Sequence, residues 1–272
     1  MKVSVWTSYL YGLTPEEIVE ALPGRGWPQA ELSTEHSEML VSRGRCAEVG
    51  ESFRRFAADR GMSFPQGHLK IDADVAAIDQ TEVLDLLKCW LDLYLALGVK
   101  AAVIHPGGHE LRSRGATAER VRDAQVRGFS ELAAHVAGTD LVICMENMAG
   151  PNDLEEFTAI INACGSRHLA ICLDTGHLHV AGQRQGEFIR RAGSRLKALH
   201  VADNDGSGDQ HLMPFGGTID WDDVVTALRE VRYDGLFNFE IPGETACPLA
   251  VRMAKLDYLR VVAAIMLGDG RA

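Results

Sequence analysis

Eight short apolar runs recur along the chain, and each is followed by a longer stretch with helical periodicity. This alternation predicts parallel β-strands joined by helical crossovers. Runs such as AAVI at 101–104, LVIC at 141–144 and LAIC at 169–172 are continuously apolar, as expected for strands covered on both faces. The predicted strands cover residues 2–6, 29–33, 62–68, 100–105, 140–146, 169–174, 197–202 and 235–241. Eight such units in 272 residues predict an α/β protein with a single (β/α)8 TIM-barrel domain over 1–272, because this barrel typically takes about 250 residues.

The stretches between the runs carry helix start and stop signals. Thr14-Pro15-Glu16-Glu17 combines a hydroxyl cap, a proline at the first helical position and acids near the positive end of the helix dipole. Leu97-Gly98 and Cys164-Gly165 are typical of helix ends. The predicted helices cover about 14–22, 42–60, 80–97, 117–137, 152–164, 186–194, 221–232 and 248–267. No G-x-G-x-x-G turn follows the first run, so a dinucleotide-binding sheet is disfavoured and no organic cofactor is expected.

Composition limits the partners and the compartment. The net charge of −11 disfavours a protein held on nucleic acid by a broad basic surface. No apolar run approaches the roughly 20 residues that span a bilayer, so no membrane partner is expected. Residues 1–6 indicate a strand rather than a signal peptide, which gives a cytoplasmic location as the expectation. The six cysteines form no C-x-x-C pair, and we expect all six to be free thiols in a reducing compartment.

Polar residues with metal-binding side chains end most of the predicted strands. In a TIM barrel the carboxyl ends of the strands carry the chemistry, so these side chains are expected to share one small volume. Five of the ten histidines lie at these ends or in the loops that follow them. The strand-end residues are Glu31, His68, His105, Glu146, Asn147, Asp174, His200 and Glu240, and the loop residues are His177, Asp203, Asp209 and His211.

Such a set of buried carboxylates and imidazoles would be costly to desolvate without a cation to balance the acids. Mixed imidazole and carboxylate ligands suit Mn²⁺, Zn²⁺, Co²⁺ or Fe²⁺ better than Ca²⁺. The sequence therefore predicts a divalent-metal site, with Mn²⁺ or Zn²⁺ favoured and Co, Mg or Fe as alternatives.

Several segments resemble the xylose-isomerase-like TIM barrels, which include sugar isomerases and epimerases as well as endonuclease IV. The segments are HPGG (105–108), MEN (145–147), LDTGH (173–177), HVADNDGSGDQHLMPFGGTIDW (200–221) and FEIPGE (239–244). The resemblance to the sugar epimerases implies one metal held by Glu146, Asp174, His200 and Glu240. It also implies that Glu146 and Glu240 move a proton beside a carbonyl through a metal-stabilised enediolate, with His177 assisting at a substrate hydroxyl or at a metal-bound carboxylate.

The expected substrate is a small sugar, sugar phosphate or related polyhydroxy keto compound. Candidate substrate contacts are Glu31, Trp6 and Asn147, although Trp6 is equally compatible with core packing and Glu31 with a contact to a metal ligand. Relatives of this kind are commonly dimers or tetramers, so a homodimer or homotetramer is expected.

The resemblance leaves two other activities open. Endonuclease IV binds three zinc ions, and this chain offers a matching residue for each ligand, with His68, His105, Asp209 and His211 as the additional metal or substrate ligands. However, no aromatic residue follows His68, which disfavours an abasic-site nuclease. No arginine follows His200 as in the tagatose- and psicose-type epimerases, which disfavours a simple ketohexose 3-epimerase. A dehydratase of the inosose or dehydroshikimate type also fits, and a non-catalytic sugar-binding barrel is the least favoured interpretation.

Overall fold

The computed structural model describes residues 1–150, 153–243 and 246–268. Eight parallel strands form one sheet in the order β7-β6-β5-β4-β3-β2-β1-β8. The strands are β1 Lys2–Trp6, β2 Gln29–Leu32, β3 Ser63–His68, β4 Ala101–Ile104, β5 Val142–Glu146, β6 Leu169–Asp174, β7 Leu196–His200 and β8 Leu236–Phe239. Just beyond these bounds, a bridge between Val201 and Phe239 joins β7 to β8 and closes the barrel. The predicted (β/α)8 barrel and its eight strands are confirmed.

Helices connect the strands and cover the barrel. They are α1 Pro15–Ala21, α2 Thr34–Val41, α3 Cys46–Ala58, α4 Thr81–Leu97, α5 His109–Ser113, α6 Ala118–His135, α7 Asp153–Cys164, α8 Thr175–Val180, α9 Gln185–Ala192, α10 Trp221–Glu230 and α11 Leu249–Leu267. The sequence did not predict α2, α5 or α8 as separate helices. All three are short, with eight residues or fewer, and give too few turns for a clear apolar period. Residue 152, where the fifth predicted helix was expected to begin, lies outside the described residues.

Local chemistry explains several helix boundaries. Thr14 and Glu17 form a capping box at the start of α1, and Pro15 occupies its first position. Gly98 ends α4 with φ of +93°, a left-handed conformation that glycine adopts without a steric penalty. Asp220 caps α10 by accepting a hydrogen bond from the Asp223 amide. These signals act within a few residues, which is why the sequence alone located them.

The strands separate two apolar regions. Alternate residues such as Ile143 and Ile171 pack outward into the large core beneath the helices. The residues between them form a smaller cluster of compact side chains inside the barrel, from β4 to β7, made of Ala101, Val103, Cys144, Ala170, Cys172 and Ala198. These small side chains fill the narrow interior and leave the polar residues beyond them at the mouth.

The expectation of six free thiols is wrong for two of them. Cys46 in α3 and Cys89 in α4 form a disulfide, with their Cα atoms 5.8 Å apart. The 43-residue separation hides this pair in the sequence, and only the packing of α3 on α4 brings the two sulfur atoms together. Cys144 and Cys172 are free and buried, as expected. Among the described residues, no helix is long and apolar enough to cross a membrane.

Candidate metal centre

The polar residues of the site lie on the strand faces that point into the barrel, where every second side chain is found. Cys144, Cys172 and Ala198 lie in the interior cluster, and side chains two positions apart in a strand share a face. The residues two positions further on are Glu146, Asp174 and His200. In the sheet register, Asp174 pairs with His200 and Glu146 pairs with Cys172. The carboxyl ends of three neighbouring strands therefore present three ligand-type side chains to the mouth of the barrel.

These three side chains and Glu240, which follows β8, form the inner cluster. Each is buried, and one potential ligand atom from each lies within 4.8 Å of the others. His200 Nδ1 is 2.9 Å from Glu146 Oε1 and 3.2 Å from Glu240 Oε2. The structure thus brings together the four residues that the resemblance implied as metal ligands.

Two carboxylate oxygens of the inner cluster are buried without a hydrogen bond. Asp174 Oδ1 accepts the His177 amide at 2.6 Å, which leaves Oδ2 without a partner. Glu240 Oε2 is also without one, because its approach to His200 Nδ1 lacks hydrogen-bond geometry. A buried carboxylate oxygen without a donor is expensive, and a cation between these oxygens would remove that cost. The inner cluster therefore fits a divalent cation held by one imidazole and three carboxylates.

The charges of the inner cluster are strongly perturbed. Burial raises the pKa of Glu146, but the neighbouring imidazoles, led by His200, outweigh it and hold this pKa well below its usual range. Burial and the carboxylates of Glu146 and Asp174 raise the pKa of Glu240 well above its usual range, despite His200. Burial works to lower the pKa of His200, but Cys172 and the surrounding carboxylates raise it well above 6.5. Two carboxylates in one site thus have pKa values shifted in opposite directions.

Two further histidines flank Glu146. His68 Nε2 lies 3.1 Å from Glu146 Oε2, and its Nδ1 lies 2.7 Å from the Leu69 carbonyl. His105 Nε2 lies 3.6 Å from the same Glu146 oxygen. Burial lowers the pKa of His105 to about 4 despite the nearby Glu146, so this imidazole is neutral near pH 7. Glu146 consequently faces the inner cluster with one oxygen and these two imidazoles with the other.

His177, Asp209 and His211 form a second group, the outer cluster, nearer to solvent. Asp209 Oδ2 lies 3.3 Å from His177 Nε2 and 2.9 Å from His211 Nε2. The Nδ1 atoms of these two histidines lie 3.1 and 2.8 Å from the carbonyls of Asn147 and Glu240. Because a carbonyl only accepts, each Nδ1 carries a proton, and each Nε2 is turned towards Asp209.

Charge pairing dominates the outer cluster. Burial lowers the pKa of His177, but the carboxylates of Asp174, Asp209 and Glu146 raise it to about 10. Burial likewise opposes the rise in the pKa of His211, to which Asp209 contributes most. Partial burial works to raise the pKa of Asp209, but His177 and His211 outweigh it and lower this pKa. The outer cluster is therefore an ion-paired group when no cation is bound.

Asn147 does not face the cavity, contrary to its prediction as a substrate contact. Its side-chain amide donates to the Asp174 carbonyl at 3.0 Å and accepts the Asp174 amide at 2.8 Å. The residue has no exposed surface. Asn147 fixes the backbone of Asp174 relative to β5, so its place is behind the site.

Glu31 also lies behind the site and contacts the candidate metal ligand His200, which is the second of the two roles expected for it. It is 1% exposed, and its Oε1 is 3.0 Å from His200 Nε2. Trp6 is half-buried, donates from Nε1 to the Ile241 carbonyl at 2.7 Å and has its ring parallel to that of His211, with centroids 6.3 Å apart. Trp6 thus stands beside the outer cluster and also packs against the hydrophobic core.

Sequence reasoning missed the residues that hold these groups in place. Gln66 and Asn238 both donate to Glu31 Oε2 from inside the barrel. Their signal was available, since each lies two positions before a strand-end residue, His68 and Glu240. Polar residues in the middle of a strand do not stand out in the sequence, because the strand ends carry the predicted ligands.

Asp203 organises the loop that carries Asp209 and His211. Its buried carboxylate accepts hydrogen bonds from the Asn204, Phe215 and Ile219 amides and from Trp221 Nε1, at 2.9 to 3.2 Å.

Four of the other histidines have hydrogen-bond partners away from the two clusters. His36 contacts Ser33 and Thr7, His135 contacts Asp92, His168 contacts the Leu141 carbonyl, and His179 contacts Thr218.

Comparison with known proteins agrees with the fold. Residues 25–260 match the family described as xylose isomerase-like TIM barrel, and the chain belongs to that family. A crystal structure of D-psicose 3-epimerase in the presence of D-fructose superposes with a TM-score of 0.80 at 17% identity, covering 98% of this chain and 100% of the other.

Two curated relatives have different activities. D-psicose 3-epimerase of Enterocloster bolteae is 32% identical over 120 residues, which cover 42% of this chain and 38% of that protein. The probable endonuclease 4 of Bacillus velezensis is 32% identical over 136 residues, which cover 44% of each chain. This chain thus spans less than half the length of either relative, and family membership alone leaves the activity open.

Proposed function

We propose that this protein is a divalent-metal-dependent isomerase or epimerase of a small sugar or related polyhydroxy keto compound. The observation that carries the proposal is the inner cluster, in which Glu146 and Glu240 approach the same nitrogen of His200 from two directions. The structural likeness to a sugar epimerase and the partial sequence similarity to another support the same class.

Glu146, Asp174, His200 and Glu240 would hold the cation. When bound, the cation supplies positive charge that stabilises developing negative charge on substrate oxygens. The two glutamates would exchange a proton with the carbon beside the carbonyl, one removing it and the other returning it. Their pKa values are shifted in opposite directions, downwards for Glu146 and upwards for Glu240, which suits a base and an acid in one site.

Residues around the inner cluster would position the substrate. His177 presents a charged imidazole on the solvent side of Asp174, where a hydroxyl could donate to Asp209 or accept from the ring. Trp6 would form an apolar wall beside His211. A dehydratase would start with the same proton removal and differ only in losing a hydroxyl afterwards, so product analysis separates the two reactions.

Proton exchange tests the proposal directly. Protein loaded with Mn²⁺ or Zn²⁺ is incubated in D₂O with a panel of ketoses and keto acids, and ¹H NMR follows loss of the proton beside the carbonyl. Glu146→Gln and Glu240→Gln should each slow the exchange by about 10²–10⁴-fold, as expected when a general acid or base is removed. Lys100→Ala is the matched control, because this lysine lies at the opposite end of the barrel with its side chain 61% exposed. Absence of exchange across the panel, with bound metal demonstrated, would overturn the proposal.

An abasic-site nuclease is the second candidate. It is favoured by His68, which forms a second possible metal-binding group with Glu146 and His200, and by the further imidazoles of His105, His177 and His211 nearby. Partial similarity to a probable endonuclease 4 supports it as well. The test is nicking of a duplex with one abasic site, with an intact duplex as control, beside elemental analysis of the purified protein. Three zinc ions with specific nicking would establish the nuclease, and one metal without nicking would remove it.

A further inference from the structure

The imidazole of His200 is anchored differently from its neighbours. His68, His177 and His211 each turn Nδ1 to a main-chain carbonyl and present Nε2 to the site. His200 does the reverse, since its Nε2 faces the carboxylate of Glu31 at 3.0 Å and its Nδ1 faces Glu146 and Glu240. A carboxylate anchor also carries a full negative charge, whereas a carbonyl anchor is neutral.

The surroundings of Glu31 fix its role as an acceptor. Gln66 Nε2 donates to Oε2 at 3.1 Å, and Asn238 Nδ2 donates to the same oxygen. Asn238 is itself fixed by Ser4, whose hydroxyl donates to Asn238 Oδ1 at 2.6 Å. With amide donors on one oxygen, the carboxylate accepts from His200 through the other. Nε2 of His200 therefore carries a proton, and Nδ1 is the nitrogen that can bind a metal.

The network is also sealed from solvent. Ser4, Asn238 and His200 have no exposed surface, and Glu31 and Gln66 are each 1% exposed. The substrate side of His200 is occupied by the inner cluster, so Glu31 can reach the chemistry only through this imidazole. A buried carboxylate with all its contacts inside the barrel needs a compensating function, because its desolvation is costly.

We propose that Glu31 is a positioning residue that fixes His200 in the Nε2-protonated form and raises the affinity of Nδ1 for the metal. The carboxylate orients the ring and increases the basicity of the ligating nitrogen, as carboxylates behind metal-binding histidines generally do. Gln66, Asn238 and Ser4 hold that carboxylate in turn. This inference rests on the proposed metal site but assigns a residue that neither binds the metal nor touches the substrate.

Metal affinity provides a test that does not depend on turnover. Mn²⁺ binding is measured by electron paramagnetic resonance of the free ion in wild-type protein, Glu31→Gln, Glu31→Asp and Ser4→Ala. Loss of the negative charge in Glu31→Gln should weaken Mn²⁺ binding by about 10–100-fold. Glu31→Asp retains the charge and should recover part of the affinity. Ser4→Ala disturbs the same network three contacts away from His200, and it should weaken Mn²⁺ binding much less than Glu31→Gln does, since it removes only a neutral hydrogen bond.

A second measurement needs no variant. With ¹⁵N-labelled histidine in the Zn²⁺-loaded wild type, the His200 proton should be found on Nε2, with Nδ1 bound to metal. Binding through Nε2 instead, or equal Mn²⁺ affinity in wild type and folded Glu31→Gln, would overturn the inference while leaving the isomerase proposal intact. Failure of wild-type protein to bind any divalent metal would overturn both.

Discussion

The inner and outer clusters are built from the same residue types, yet the fold holds them by different means. The inner cluster projects from strand ends, is buried and retains two carboxylate oxygens without hydrogen bonds. The outer cluster draws two of its three members from a loop, and its only carboxylate already pairs with both imidazoles. Unsatisfied buried charge on a rigid frame needs a cation, whereas a paired and partly exposed group is stable without one.

Removing a ligand from the inner cluster should have the largest effect. Asp174→Asn weakens the cation site, and the exchange rate should fall at least about 100-fold, because metal stabilisation of charge is worth several kcal/mol. Asp209→Asn, the matched change in the outer cluster, should leave the inner cation in place. Elemental analysis and the D₂O exchange assay on both variants measure the difference. Equal loss of metal from both would show that the clusters act as one unit.

The loop that carries the outer cluster depends on one buried carboxylate. Asp203→Asn retains the shape of the side chain but places an amide donor against amide and indole donors. The unfolding free energy should fall by about 1–3 kcal/mol, the usual cost of unsatisfied buried polar groups. Urea denaturation gives that number, while Mn²⁺ affinity at the inner cluster should stay near the wild-type value. A large loss of Mn²⁺ affinity would mean that the loop also supports the strand ends.

The smallest effect is expected from the ion pair of His177 and Asp209. The pKa of His177 is raised from 6.5 to about 10, so the stabilisation from its charged form is complete below pH 6.5 and disappears as the pH rises towards 10. At pH 6.5 the unfolding free energy of the metal-free wild type should exceed that of Asp209→Asn by up to about 1 kcal/mol. The difference is small because this ion pair is partly exposed. The difference should shrink by pH 10 in denaturation curves. A constant difference between these pH values would place the stabilisation elsewhere.

The sequence predicted more of the inner cluster than of its support. Glu146, Asp174, His200 and Glu240 were among the candidates because each ends or follows an apolar strand, and the resemblance to the sugar epimerases implied that these four hold the metal. Glu31 and Asn147 were recognised as strand-end residues, but Asn147 was assigned to the substrate and Glu31 to either the substrate or a metal ligand. Where each side chain points depends on its neighbours in the folded protein, and both side chains make their hydrogen bonds inside the barrel.

Periodicity and local capping alone determined the eight strands, most of the helices and the strand ends at which the candidate ligands lie. These features follow from contacts between residues a few positions apart. The tertiary structure decided which distant groups meet: Cys46 with Cys89, and Asn238 with Glu31 across 207 residues. It also decided which nitrogen of each histidine faces the site. Those outcomes depend on strand register and side-chain packing across the closed barrel, so they cannot be predicted from any short stretch of sequence.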